Sequence, residues 1–398
     1  MRTPRAVRVA LLLTLALAAC RDGTGPGRPQ AADRPAALLG LLESKRYIVV
    51  FGEGVTDPLG LAQLLTTTLG GTLLYVYTDA LVGFAAELPA TAVTLLRLDP
   101  RVAFVEADGQ MRAGDVQTMD PGGDPWGLDR IDQQSLPLSS SYTFTTTASG
   151  VHAYIIDTGI WTGHPDFGGR ADNVFDFLLP LQLPVVSEDC NGHGTHVAGT
   201  VGGATWGVAK GTSLHGVRVL SCAGTGFTSG VIAGVDWVAR NHVKPAVANM
   251  SLGGSKSRAL DQAVSNLSAA GVFVAVAAGN DNADACTSSP AGADGVFTVA
   301  ASTKTDAKAS FSNWGSCVEI YAPGAAIKSA FLLGTDQTLS GTSMAAPHAA
   351  GVAALYKATF GDVPSATIAQ DLITHATQGA ISGNPAGTPN RLLYKSTL

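Results

Sequence analysis

Beyond residue 125, short apolar runs alternate with segments of helical period, and this alternation constrains the fold more than any other feature. The runs are Ala153 to Ile156, Ala246 to Met250, Val272 to Ala277 and Phe297 to Ala300, and the helical patterns include Val231 to Arg240 and Leu260 to Ala269. Runs without polar alternation suit strands buried on both faces, which need helices above and below them. The expected class is α/β, a doubly wound and mostly parallel sheet with helices on both faces. The 47 glycines follow no three-residue period and concentrate between 191 and 230 and between 251 and 295, where they suit tight turns and close backbone approach.

A smaller unit precedes this domain. Tyr47 to Phe51 reads as a strand, and Asp57-Pro58 starts a helix carrying Leu61, Leu64, Leu65 and Leu69. Thr72 to Tyr77 and Leu81 to Leu88 read as a strand pair, Pro89 to Leu98 as a helix and Val102 to Glu106 as a closing strand. The order βαββαβ is that of a small α+β, ferredoxin-like domain over residues 46–111. Residues 112–124 turn polar and glycine-rich, as a linker and cleavage region would, and leave 125–398 for the larger domain.

The N-terminus points to export. Arg2, Arg5 and Arg8 precede the apolar stretch Val9 to Leu17, which is too short to span a bilayer. Leu17-Ala18-Ala19-Cys20 resembles a bacterial lipobox, which would make 1–20 a signal and put a lipid on Cys20; the alternative is an ordinary alanine-rich cleavage site. Residues 21–45 read as a flexible tether. Of the five cysteines, setting Cys20 aside leaves Cys190, Cys222, Cys286 and Cys317, an even set that implies two disulfides in any of three pairings. Charged residues make up only 14% of the chain, and a net charge of −6 without basic runs gives no footprint for nucleic acid.

Four segments carry chemistry. Asp157 ends the apolar run Tyr154-Ile155-Ile156, so it stands at the C-terminal edge of a buried strand, where open α/β sheets place their sites. A carboxylate there can fix a histidine tautomer and stabilise an imidazolium. His193 lies among the close-packing glycines of Asn191 to Thr200; zinc bound by Cys190, His193 and His196 is a weaker reading, because no glutamate follows His193. Ser343 precedes the small-residue helical segment Ala349 to Tyr356, which sets its hydroxyl and amide at a helix N-terminus. Ala345 stands where the hydrolase elbow needs glycine. Asn280 follows the strand Val272 to Ala277 and offers an amide donor at the same edge.

Together Ile156-Asp157-Thr158-Gly159, the Asn191 to Thr200 run, Ala278-Gly279-Asn280 and Gly341 to His348 resemble the subtilisin-like serine proteases, whose triad follows the same order along the chain. Pro125 to Gln133, Asn249 to Gly254 and Phe311 to Gly315 are similar to the proteinase K branch and its aqualysin-like bacterial members. The resemblance implies a peptide-bond hydrolase with Ser343 as nucleophile, His193 as base, Asp157 as its partner, and an oxyanion hole of Asn280 and the Ser343 amide. It further implies a specificity pocket walled by Ser251-Leu252-Gly253 and Ala277-Ala278-Gly279, with apolar or aromatic preference and substrates added as a strand. Disulfides Cys190–Cys222 and Cys286–Cys317 are implied as well.

The small N-terminal unit would be an inhibitory propeptide, cut away by Ser343 within the linker. Calcium would be bound by Asp129, Asp132 and Gln133, and at a second site by the Asp294 and Val296 carbonyls with Glu319, where the branch usually has aspartate. The expected partners are peptide substrates and the chain's own propeptide, with the membrane reached only through Cys20. A catalytically inert scaffold and an esterase are the rival classes; no lid-like amphipathic segment supports the second.

Overall fold

A computed structural model describes residues 44–113, 117–118, 126–178 and 187–398. The expected signal with Cys20, nearly all of the expected tether and most of the expected linker lie outside the described residues.

The N-terminal unit contains β1 (Ser44–Phe51), α1 (Pro58–Thr68), β2 (Thr72–Tyr77), β3 (Gly83–Pro89), α2 (Ala90–Leu96) and β4 (Val102–Ala107). Its strands form an antiparallel sheet of order β2-β3-β1-β4, the ferredoxin-like arrangement. Helix α1 starts where the Asp57 carboxylate accepts the Gly60 amide at 2.9 Å, with Pro58 preset at the first helical position. Pairing of β3 begins at Gly83, two residues later than the apolar pattern suggests. The reason is tertiary: Asp236 accepts the amides of Thr78, Asp79 and Ala80 at 3.3, 2.8 and 2.8 Å and holds them in a turn.

Two strands then run into the larger unit, β5 (Gln110–Ala113) and β6 (Gln117–Thr118). The strands that follow are β7 (His152–Asp157), β8 (Ala171–Asp176), β9 (Ser213–Arg218), β10 (Thr225–Phe227), β11 (Ala246–Met250), β12 (Leu252–Ser255) and β13 (Phe273–Ala277). Later come β14 (Ser288–Ser289), β15 (Phe297–Ser302), β16 (Ile320–Pro323), β17 (Ile327–Ala330), β18 (Asp336–Ser340), β19 (Thr377–Gln378) and β20 (Arg391–Leu392). A nine-stranded sheet of order β19-β20-β16-β15-β13-β11-β7-β9-β8 is parallel except for the β19–β20 pair.

The helices are α3 (Trp126–Asp132), α4 (His193–Gly202), α5 (Thr228–Asn241), α6 (Arg258–Ala269), α7 (Thr342–Phe360) and α8 (Ser365–His375). Strand periodicity divides the core into two layers. Ala153 and Ile155 of β7, with Phe273 and Ala275 of β13, pack with α4 and α7. Tyr154 and Ile156, with Val274 and Val276, pack with α5 and α6. Side chains that alternate across a strand thus need apolar cover on both faces, which is why these runs carry no polar period.

The N-terminal unit docks on the α5 and α6 side. Its β1 alternates likewise: Ile48 and Val50 join the core under α5 and α6, whereas Val49 and Phe51 pack with the unit's own helices. Asp108 accepts the Ser229 amide at 2.7 Å in the first turn of α5, and Glu106 accepts the Ser257 hydroxyl and the Ala259 amide at the start of α6. Two carboxylates therefore meet two positive helix termini. Burial pushes both carboxyls above their ordinary range against these hydrogen bonds.

Candidate active site

Asp157 closes β7 with its carboxylate fully buried and accepts the Thr158 amide at 2.7 Å. His193 opens α4, and its Nδ1 lies 2.8 and 3.0 Å from the two Asp157 oxygens. A carboxylate only accepts, so Nδ1 carries the proton and Nε2 is the basic nitrogen. Gly192 caps α4 at φ 99°, a conformation that favours glycine, and a Cβ on Gly194 would fall 2.2 Å from the Gly159 carbonyl. The histidine can therefore be brought onto the aspartate only through a glycine-flanked turn.

Asp189 holds that turn and was not singled out by sequence reasoning. Its Oδ1 accepts the amides of Asn191 and Gly192 at 2.9 and 3.0 Å, and its Oδ2 accepts the Thr195 amide and hydroxyl at 3.0 and 2.6 Å. The adjacent Cys190 is bonded to Cys222, and Cys286 to Cys317. With Cys190 in a disulfide, the zinc reading fails. His196 also turns elsewhere: its Nε2 faces the Ile327 and Gln337 carbonyls at 3.0 and 3.1 Å, and burial drops its pKa to about 3, leaving it neutral.

Burial presses His193 toward neutrality, but the charge and hydrogen bond of Asp157, with Asp189 behind it, outweigh burial and lift its pKa above 6.5. A general base must be unprotonated, so raising the pKa moves the onset of activity upward. We expect kcat/KM against pH to rise through an apparent pKa above 6.5; an inflection at or below 6.5 would contradict the coupling to Asp157.

Ser343 is the second residue of α7 and is fully buried. Its Oγ donates to the Ser251 carbonyl at 3.3 Å, and His193 Nε2 has no hydrogen-bond partner among the described residues. A hydroxyl and a ring nitrogen that act together in catalysis commonly close their hydrogen bond only around substrate. Asn280 follows β13, and its Oδ1 accepts the Thr342 amide and hydroxyl at 2.8 and 2.9 Å. Committing the oxygen to Thr342 orients the amide with Nδ2 as its donor end. Thr342 was not foreseen.

A cavity of about 500 Å³ opens beside these groups, lined by Leu252, Gly253, Ala277, Ala278, Gly279 and Asn280 among others. Ser251, expected in the same wall, is not in the lining; its side chain is buried and turned toward Ser343. Strand β5 lies antiparallel between β10 and β12, pairing Arg112 with Gly253 and Met111 with Gly226 and Gly254. Met111 is fully buried there. On the other side, Gln117 and Thr118 pair with Ser340 and Leu339, just before Gly341 and the start of α7. Residues 112, 113, 117 and 118, expected as linker, thus have strand pairing supplied by the larger unit rather than by any period of their own.

The calcium sets fit unequally. Asp129 accepts the Ser139 amide and hydroxyl at 3.0 Å each, and Gln133 Oε1 accepts the same amide at 2.9 Å, a cluster whose oxygens suit a hard cation. The Asp132 carboxylate departs from that set: it holds Lys395 Nζ at 2.9 Å and the Thr143 amide at 2.7 Å, so an ammonium already balances it. At the second set, Glu319 accepts the Thr298 amide at 2.6 Å and burial raises its pKa to about 7, while the Asp294 carbonyl accepts the Ser265 hydroxyl at 2.6 Å. These oxygens accept from protein donors just as those of Asp129 and Gln133 do. No cluster of three or more His, Cys, Asp or Glu side chains that could hold a metal occurs among the described residues.

Comparison with known proteins identifies the family. Residues 148–391 match the Subtilase family and residues 46–113 match Peptidase inhibitor I9. The chain is 48% identical to the extracellular serine proteinase of Thermus sp. (strain Rt41A) over 410 residues, 96% of this chain and 97% of that protein. Identity to Proteinase R of Parengyodontium album is 40% over 384 residues, 93% and 96% of the two chains. A solved cold adapted subtilisin-like serine proteinase superposes with a TM-score of 0.66 at 52% identity, covering 70% of this chain and 99% of its own. The Subtilase match over most of the chain, relatives at this identity and coverage, and the I9 unit ahead of the parallel sheet make the chain a member of the subtilase family of serine endopeptidases, carrying its own inhibitor propeptide.

Proposed function

We propose that the protein is an exported zymogen whose Asp157, His193 and Ser343 form the triad and which cuts its own chain between Ala113 and Gln117. The observation that carries this reading is the placement of β5 and β6. Ahead of residues 114–116 the chain pairs with the pocket wall at Gly253, and after them it pairs with Ser340, three residues before Ser343, which supports a cut between the two pairings. Intact-mass analysis of the processed protein tests it, with new termini expected inside 113–117; a break elsewhere would reject the placement.

In the proposed reaction Ser343 Oγ attacks the scissile carbonyl as its proton passes to His193 Nε2. Asp157 keeps the Nδ1 proton in place and stabilises the imidazolium. The Asn280 amide and the Ser343 N–H stabilise the tetrahedral oxyanion. His193 then protonates the leaving amine, and water, deprotonated by the same nitrogen, releases the acyl group. Asn280→Ala should lower kcat by about 10² to 10³; near-normal turnover would remove Asn280 from the role.

The small-residue walls of the cavity leave room for apolar and aromatic side chains, and that is the preference proposed for substrates. Cys20 is proposed to carry a lipid, so that Cys20→Ser abolishes palmitate labelling of the precursor in a bacterial host; a wild type that takes up none is simply secreted. Any structural calcium would be held by Asp129 and Gln133 with Ser139, bracing the N-terminal end of the catalytic domain and taking no part in the chemistry.

A further inference from the structure

We propose that Ser251 is a positioning residue for the nucleophile, supplying the hydrogen-bond donor that Pro347 denies to the Ser343 carbonyl. This rests on the reading of Ser343 as nucleophile. In an α-helix the carbonyl of residue i accepts the amide of residue i+4. For Ser343 that residue is Pro347, which lies inside α7 and has no N–H. A buried carbonyl left without its donor is costly, so a replacement is required. Ser251 Oγ provides one, donating to the Ser343 carbonyl at 2.7 Å from a fully buried position.

The direction of that bond is fixed from behind. Asn249 Nδ2 lies 2.8 Å from Ser251 Oγ. Since the Ser343 carbonyl can only accept, the hydroxyl proton goes to it, and the Asn249 atom facing Ser251 has to be a donor. Asn249 is buried, and its Oδ1 has no hydrogen-bond partner among the described residues. A polar group half-satisfied in the core is retained here for its one donor.

Asn249 sits in β11, in register with Ile155 of β7 and Ala275 of β13. Those two strands end at Asp157 and run on to Asn280. The relay from Asn249 through Ser251 thus ties the first turn of α7 to the strands that carry the aspartate and the amide donor. The Ser343 hydroxyl returns to the Ser251 carbonyl at 3.3 Å, so the two serines clasp each other. Ser251 in this role sets where Oγ stands relative to His193, which affects turnover rather than substrate capture.

The test uses wild type, Ser251→Ala, Pro347→Ala and the double variant as processed enzymes, with kcat and KM on a peptide nitroanilide expressed per fluorophosphonate-titrated site. Ser251→Ala should lower kcat about tenfold with KM nearly constant, the scale of one buried hydrogen bond. In the Pro347→Ala background, where the proline's replacement brings back an amide for the Ser343 carbonyl, the same Ser251 substitution should cost no more than about threefold. Equal losses in both backgrounds would overturn the assignment, as would a loss confined to KM that follows the size of the substrate side chain, the signature of a pocket wall. Should Ser251→Ala alone fail to fold, recovery of soluble processed enzyme on adding Pro347→Ala is the same rescue, and its absence overturns the proposal. Full activity in Ser343→Ala would instead sink the nucleophile reading, whatever the coupling.

Discussion

Ser343→Ala, expressed from the full chain, should remain one polypeptide, whereas the wild type separates into two fragments at a point between Ala113 and Gln117. The expectation follows from connectivity. The chain is paired to the larger unit at residues 111–113 and again at 117–118, so in the proposed reaction the bond between is an intramolecular substrate that needs no diffusion. Removing the hydroxyl leaves docking intact and takes away the attack, with activity falling by about 10⁶, the scale measured in subtilisin. A unit the size of residues 46–113 is marginal alone and gains stability by docking Ile48, Val50 and Tyr77 under α5 and α6. The cut N-terminal fragment should therefore remain bound and inhibitory at first. Denaturing electrophoresis of both proteins decides the matter; equal splitting of mutant and wild type would assign the cut to a host protease.

Replacing Asp157 by Asn should reduce kcat by about 10⁴, the scale found for this change in other serine proteases. The substitution preserves shape and removes the acceptor that holds the proton on His193 Nδ1, so the imidazole can settle in the wrong tautomer. It also removes the charge that lifts the histidine above 6.5 against the effect of burial. The residual activity should accordingly set in at lower pH than in the wild type. Steady-state profiles of the purified variant, matured in trans, provide the check: a loss below tenfold, or an unmoved acid limb, would mean that the 2.8 Å contact does not govern the base.

The sheet was legible because parallel strands buried on both faces must be continuously apolar, and the segments around Ala153, Ala248, Val274 and Val299 are. Asp157, His193, Asn280 and Ser343, the residues proposed for the chemistry, could be singled out because each stands near glycines and small residues at a strand end or helix start. What lay out of reach depends on contacts far apart in the chain. The Lys395–Asp132 pair, which occupies a carboxylate expected to bind calcium, joins the two ends of the catalytic domain. The Asp236 grip on residues 78 to 80 comes from a different unit. Asp189 reads in the sequence as one more polar residue before a glycine, and only folding shows it gathering four hydrogens around the histidine turn. Ser251 was placed by resemblance in the pocket wall, and a backbone position cannot announce that its side chain points the other way. The disulfide pairing likewise required either resemblance or coordinates, since three pairings satisfy the count.

Reaction of the processed enzyme with a serine-directed fluorophosphonate, followed by peptide mapping, tests the central claim most directly. A single adduct on Ser343 is expected, formed in step with the loss of peptidase activity and nearly abolished in Asp157→Asn. An adduct on another residue, or an enzyme that hydrolyses peptides while Ser343 remains unmodified, would contradict it.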